Sequence, residues 1–390
     1  MIEVTEAKEP TEVTKVNEIT EAMSVNKTMV EMFPNADFPP GALVDYSTEY
    51  YARRKASKEE LQSTENDEAR LKDLRHAAEI HRQVRQMAQS KVQPGMRMVD
   101  ICEMIEEGIR SLSTKGGFNG GIAFPVGCSL NHVAAHYNPN GGDDTVLRYE
   151  DICKIDIGVH VNGRIIDSAW TLSFDPRYDK LKEAVREATE TGIRNAGIDV
   201  RLGELGGLIQ ETMHSYEVET KPGTMVPVKC IRNLNGHQID QYHIHAGKTV
   251  PITRSSESAR MAEGEQYAIE TFGSTGKGWV NEEGECSHYM LNFERAPFLP
   301  DFLKRQRMPK PKALLETISR NFGTLAWCRR YLDRLGETKY LLALKSLVDQ
   351  GIVDPYPPLA DVKGSWTAQY EHTILLRPGC KEILSRGPDY

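Results

Sequence analysis

Four carboxylates and one imidazole stand out by their setting. Asp156, Asp167, Glu270 and Glu371 each interrupt an apolar, strand-like run, and His237 opens a segment that also holds His243 and His245. Acids in such places are costly to bury unpaired, and a divalent cation would neutralise them. Carboxylates with imidazole and without thiolate suit Co, Mn, Fe or Zn. Five ligands, four of them carboxylates, suit two ions better than a single zinc. Two ions held about 3.5–4 Å apart can activate a water and polarise a carbonyl. The chemistry expected is metal-assisted hydrolysis. The plainer alternatives are a solvent-facing hairpin with hydrated acids and a hydrogen-bonded, purely structural histidine cluster.

Spacing indicates which elements must carry these groups. Between Asp151 and Trp170, two β-branched runs flank Asn162-Gly163, which predicts a hairpin with a two-residue type I′ turn. In that register Val161 faces Arg164, Gly158 faces Asp167 and Asp156 faces Ala169. Both acids then leave one side of the ribbon as diagonal neighbours, roughly 7–8 Å apart at the backbone. By alternation His243 and His245 share a strand face, joined by His237 if the strand runs unbroken. Ser365 to Arg377 reads as a further strand and carries Glu371.

Helical spacing covers Glu65 to Ser90 and resumes near Asp100 with Ile101, Ile105, Ile109 and Leu112 on one face. Tyr178 to Gly197 and Arg201 to Ser215 repeat the pair. R-M-V-D-I-C-E-M-I-E-E from Arg97 parallels R-L-G-E-L-G-G-L-I-Q-E from Arg201, and D-I-C-K-I-D from Asp151 parallels E-Q-Y-A-I-E from Glu265. That alignment makes Asp156 the counterpart of Glu270. A duplicated helix–helix–sheet unit predicts pseudo-twofold halves whose facing strands enclose a central site.

Residues 1–35 lack a sustained period and are expected to be disordered or loosely packed. From 299 to 350 the texture becomes helical, with two amphipathic helices expected between Leu314 and Gly351. The basic run from Lys304 to Lys312, broken by Pro309 and Pro311, reads as a solvated loop. The expected division is 1–35 as extension, 36–298 as main body, 299–350 as helical insertion and 351–390 as closing strands.

A net charge of −8 argues against bulk nucleic-acid binding. No run approaches 18 apolar residues, so no membrane span is predicted, and the acidic start is unlike a signal peptide. Seven cysteines without a C-x-x-C pair favour reduced thiols and a cytoplasmic setting.

The motifs taken together resemble a known family. They include A-F-P-V-G-C-S-L-N from Ala123, A-A-H-Y from Ala134, K-I-D-I-G from Lys154 and G-R-I-I-D from Gly163. They continue with R-N-L-N-G-H from Arg232, I-H-A-G-K-T-V-P-I from Ile244, A-I-E-T-F-G-S-T-G-K-G from Ala268, C-S-H-Y-M from Cys286, G-I-V-D-P-Y-P-P-L from Gly351 and E-H-T-I-L-L-R-P from Glu371. From about Phe33 to Tyr390 the chain resembles a type 2 methionine aminopeptidase, a metallopeptidase of the α+β pita-bread fold, with the 299–350 segment similar to the type 2 insertion. The resemblance implies Asp156, Asp167, His237, Glu270 and Glu371 as ligands of two divalent ions, with Asp167 and Glu371 bridging them. It implies Glu270 as proton acceptor, His136 at the scissile nitrogen and His245 at the scissile carbonyl oxygen. Phe124, Ile244, His288 and Tyr356 would line the methionine pocket. Fumagillin-like epoxides would alkylate His136. Substrates would be N-terminal Met peptides and nascent chains with a small second residue, and the working unit a monomer. Relatives often carry charged N-terminal blocks linked to ribosome association. Residues 1–35 hold scattered lysines and no basic block. A non-catalytic binding protein of the same fold would have lost ligands that are all kept here. A proline-specific peptidase would need an extra N-terminal domain and a different ligand spacing.

Overall fold

The computed structural model describes residues 29–46, 67–113 and 116–390. The expectation for residues 1–28 and the Glu65 start of the first helix lie outside them. Within the expected extension, Met29–Met32 is helical and Met29 is buried against the main core.

Helix α1 (Glu68–Lys91) buries Leu74, Ala77, Ala78, Ile80, Val84 and Ala88, the apolar stripe of an amphipathic helix. Gly95, at a φ of 96°, turns the chain into α2 (Met98–Leu112), which buries Ile101, Ile105 and Ile109. The unit recurs as α3 (Asp179–Asn195) and α4 (Leu202–His214). The repeat extends to the entry residues. Arg97 and Arg201 each precede their helix and form a lone antiparallel bridge, to Val146 and Arg260. Each also pairs with the acid three places on, Asp100 and Glu204.

Under α1 and α2 lie β1 (Gly120–Leu130), β2 (Ile152–Val161) and β3 (Arg164–Ser173), antiparallel in that order. The hairpin has the register its turn requires, with Gly158 opposite Asp167 and Asp156 opposite Ala169. Asn162 and Gly163 are both left-handed, at φ 50° and 75°, as a type I′ turn demands. In the other half, β4 (Asn235–Ile239), β5 (Gln266–Ser274) and β6 (Thr367–Leu376) form the centre of a seven-stranded antiparallel sheet covered by α3 and α4.

The two sheets meet where β3 runs beside β6, and side-chain hydroxyls take the place of a backbone ladder. Thr373 Oγ1 accepts from Asp167 N at 2.8 Å and donates to Asp167 O at 2.7 Å. Thr171 Oγ1 brackets the Gln369 backbone in the same way, at 2.8 and 2.7 Å, and Ser168 Oγ donates to Glu371 O at 2.6 Å. This seam satisfies buried backbone groups that would otherwise be orphaned, and it brings Asp167 to Glu371.

The helical segment comprises α5 (Leu299–Arg305), α6 (Pro309–Asn321), α7 (Arg329–Arg334) and α8 (Leu341–Asp349). It differs from expectation twice. Pro309 and Pro311 occupy the first turn of α6, where a missing N–H costs nothing, so the basic run is largely helical rather than a loop. The first expected long helix breaks at Gly323, at φ 56°. Trp327 and Cys328 then form a strand against His288 and Tyr289. Trp327 stacks on Tyr289 and Phe322 with ring centroids 5.2 and 5.6 Å away. That tertiary contact outweighs local helix propensity.

Candidate active site

The acids converge because three strand relationships act together. The hairpin sets Asp156 diagonal to Asp167. In the second sheet Glu270 stands directly opposite Glu371, and His237 lies opposite Ala268, two residues from Glu270. The hydroxyl seam joins the two sets. Ligand atoms of Asp167, His237 and Glu371 all lie within 4.8 Å of one another. His237 Nε2 is 3.5 Å from Asp167 Oδ2 and 3.6 Å from Glu270 Oε1. Gln369, two places before Glu371 on the same strand face, points its Nε2 at three acids: Asp156 Oδ2 at 3.4 Å, Glu270 Oε2 at 3.2 Å and Glu371 Oε2 at 3.4 Å.

Such a cluster is unfavourable by itself. Like charges directly opposite on paired strands repel. Burial first, and then the charge of Asp167, push the carboxyls of Asp156, Glu270 and Glu371 well above the ordinary carboxylate range. Asp156 Oδ1, Asp167 Oδ1 and Glu371 Oε1 are buried with no hydrogen-bond partner. Unpartnered acid oxygens facing an imidazole nitrogen are the donor set of a divalent-cation site, so the residues present fit the group.

Beside the cluster lies a cavity of about 360 Å³ whose walls include Phe124, Ile244, His288, Met290, Ala326 and Tyr356. A methyl group on Gly158 would stand 2.2 Å from the Phe124 ring, so the ring is seated only because this residue is glycine. His288 Nε2 donates to Pro125 O at 3.1 Å, which fixes its tautomer. His136 and His245 also open onto the cavity. Burial, as the leading cause, lowers His136 to about 4 and His288 to about 3. It also holds His245 well below the imidazole range, with His237 and His136 adding to the effect. All three are neutral at pH 7. The His245 ring stands edge-on to His237 with centroids 4.5 Å apart, and that of His136 edge-on to Tyr356 at 5.8 Å.

Every residue expected at the site therefore lies in or beside this cavity, Glu371 through its contact with Gln369 and Asp167. His243 does not join its neighbours. The strand ends at Ile239, and Asp240 and His243 exchange backbone hydrogen bonds at 2.9 and 3.1 Å around a tight turn. The His243 ring is sent away to stack on Phe293 with centroids 3.5 Å apart. Sequence reading passed over Gln369, although its place two residues before Glu371 on a strand was a usable signal. It also passed over Thr373, Ser168 and Thr171, for which there was none.

Two joined sheets, each backed by a helix pair and meeting at buried acids and an imidazole, define a metallopeptidase of the pita-bread class. A family model described as Metallopeptidase family M24 matches residues 72–308. Methionine aminopeptidase 2A of Arabidopsis thaliana is 54% identical over 364 residues, covering 93% of this chain and 80% of that protein. Methionine aminopeptidase 2 of Debaryomyces hansenii is 55% identical over 361 residues, covering 92% and 84%. Among solved structures, a thermophilic Arx1 aligns with a TM-score of 0.66 at 17% identity, covering 81% of this chain and 90% of that one. Methionine aminopeptidase from Thermotoga maritima aligns at 0.54 and 19% identity, covering 86% and 99%; at such identities these two speak for the fold alone. The chain belongs to metallopeptidase family M24 and, within it, to the type 2 methionine aminopeptidases. It is a metal-dependent aminopeptidase. Among the described residues no helix is long and apolar enough to cross a membrane.

Proposed function

We propose that this methionine aminopeptidase removes initiator methionine from nascent chains whose second residue is small, using two divalent ions. Asp156, Asp167, His237, Glu270 and Glu371 would hold the ions, with Asp167 and Glu371 contributing to both. When bound, such a pair lowers the pKa of water and draws electron density from the scissile carbonyl. The chain's own groups do the rest. Glu270 takes the proton of the attacking water at a carboxylate oxygen. The proton then passes from Glu270 to the scissile nitrogen, which neutral His136 contacts as it leaves as an amine. Neutral His245 donates to the carbonyl oxygen as negative charge develops there. The methionine side chain enters the slot between Phe124, Ile244, His288 and Tyr356, where aromatic edges suit a thioether sulfur.

The observation that supports this most strongly is the meeting of four acids from both halves of the chain, three of them with unpartnered oxygens, beside an apolar slot of side-chain size. The donor type suits Co, Mn, Fe or Zn, and availability decides among them. The same reading makes the working unit a cytoplasmic monomer acting on chains emerging from the ribosome. The test compares Met-Ala-Ser with Xaa-Pro peptides, using protein stripped of metal and then reloaded. The reading expects Met-Ala-Ser cleavage only after reloading, and equal turnover of an Xaa-Pro peptide, or full activity in stripped protein, overturns it.

A further inference from the structure

His136 is held in an unusual backbone conformation, left-handed at a φ of 66°. A residue with a Cβ rests there only if its surroundings over-determine it. Its ring is held by the Pro357 backbone and by the edge of Tyr356, but those contacts orient the ring and do not set the backbone that carries it. The constraint comes from the residues that follow. Tyr137 N donates to Ser129 Oγ at 3.2 Å, and Tyr137 O accepts from Cys128 N at 2.8 Å. Asn138 Nδ2 donates to Val126 O at 2.7 Å. That carbonyl lies within the irregular stretch of β1 between Phe124 and Gly127, where the register shifts.

Asn138 is in turn gripped by the helical segment. Arg330, the second residue of α7, donates from Nη2 to Asn138 Oδ1 at 3.0 Å and from Nε to Pro139 O at 3.0 Å. It also donates to Glu106 of α2, through Nη1 at 3.0 Å and Nη2 at 2.6 Å, with Glu103 of the same helix 3.6 Å from Nη1. The Arg330, Asn138 and Glu106 side chains are buried. The planar fork of a guanidinium grips a carboxylate bidentately while its other N–H groups reach an amide oxygen and a carbonyl, a spread the compact, three-donor ammonium does not reproduce.

We infer that Arg330 and Asn138 are positioning residues for His136: the helical segment reaches through α2 and the β1 bulge to set the backbone that aims this imidazole at the substrate. The inference rests on the role proposed above for His136. It gives the inserted helices a part in catalysis without placing them against the substrate's reacting atoms.

The test uses metal-loaded full-length protein carrying Arg330→Lys, Asn138→Ala or, as a control, Arg329→Ala. The Arg329 side chain pairs with Glu285 and Tyr340, and not with Arg330, Asn138 or Glu106. Displacing a catalytic group by an ångström costs on the order of 10²-fold in rate. The expected result is a kcat for Met-Ala-Ser lowered roughly 10- to 100-fold in the first two variants, with KM changed less than about threefold and metal content unchanged. The rate at which a fumagillin-type epoxide alkylates His136, followed by peptide mass mapping, should fall in parallel, while Arg329→Ala matches the parent in both. Should Arg330→Lys fail to fold, Asn138→Ala carries the test alone, because it leaves the Arg330–Glu106 pair in place. Parental kcat and alkylation rate in folded Asn138→Ala, or a loss that tracks metal content, overturns the inference. An unaltered protein that fails to cleave Met-Ala-Ser would instead remove the reading on which it rests.

Discussion

The His136 and Asp167 side chains lie in one cavity yet are given different work, and substitution should separate them. On the proposed reading Asp167→Ala removes a ligand shared by both ions, and it should abolish both metal retention and Met-Ala-Ser cleavage. His136→Ala should keep the metal and still lose about 10²- to 10⁴-fold in kcat, the range of a general acid–base contribution. Metal analysis alongside steady-state kinetics distinguishes the two outcomes, and a His136→Ala enzyme at parental rates would end that residue's role. Gly158 offers a test of the slot. A methyl group there would lie 2.2 Å from Phe124, so Gly158→Ala should displace the ring and raise KM for methionyl substrates with metal content unchanged. An unaltered KM would place the methionine side chain elsewhere.

Between elements, the hydroxyl seam of β3 and β6 joins the two sets of acids. Thr373→Val keeps the side chain's shape and removes both hydrogen bonds to Asp167, leaving a buried N–H without its partner. The expected cost is about 1–3 kcal/mol, read by denaturant unfolding, together with weaker metal binding as Asp167 shifts; unchanged stability would show that the seam does not fix the acid. The seam also marks how far the sequence could be read. The hairpin was legible because Asn162-Gly163 admits one turn type, and that turn fixes which acids share a face. The two helix pairs were legible because Arg97 and Arg201 begin matching amphipathic runs. Thr171, Ser168 and Thr373 carry no such mark, since a threonine on a strand is ordinary until a second strand arrives beside it. His243 misled for a related reason. Alternation put it with His245, but Tyr242 turns left-handed at φ 55° and ends the strand's logic. In the helical segment, the break at Gly323 depends on Tyr289 stacking with Trp327, a partnership no local window contains.

At the scale of the whole molecule, each half of the duplicated chain brings acids to a common point, and bound divalent metal would offset the cost of their meeting. This links metal, pH and stability. Asp156, Glu270 and Glu371 have folded-state pKa values raised above their unfolded values near 4. Between those values the metal-free fold binds more protons than the unfolded chain, so raising the pH through that window destabilises it. Buried histidines such as His136 and His288, lowered in the fold, act in the opposite direction over part of this range, so the acids are isolated by comparison. Between about pH 5 and pH 8 the metal-free protein should lose melting temperature relative to a Glu270→Gln, Glu371→Gln variant, and added Co or Mn should raise the parent more at pH 8 than at pH 5, because protons compete for the same oxygens. A metal-free parent whose melting temperature runs parallel to that of the variant would contradict the assignment of these acids as a repelling buried set.

The most direct test is the stoichiometry of ion binding to stripped protein, measured by titration calorimetry and checked by elemental analysis. The account predicts two Co or Mn ions per chain, with Glu371→Gln and Asp167→Ala each disrupting both sites because those acids are shared. One ion per chain, or two bound undiminished after either substitution, would contradict it.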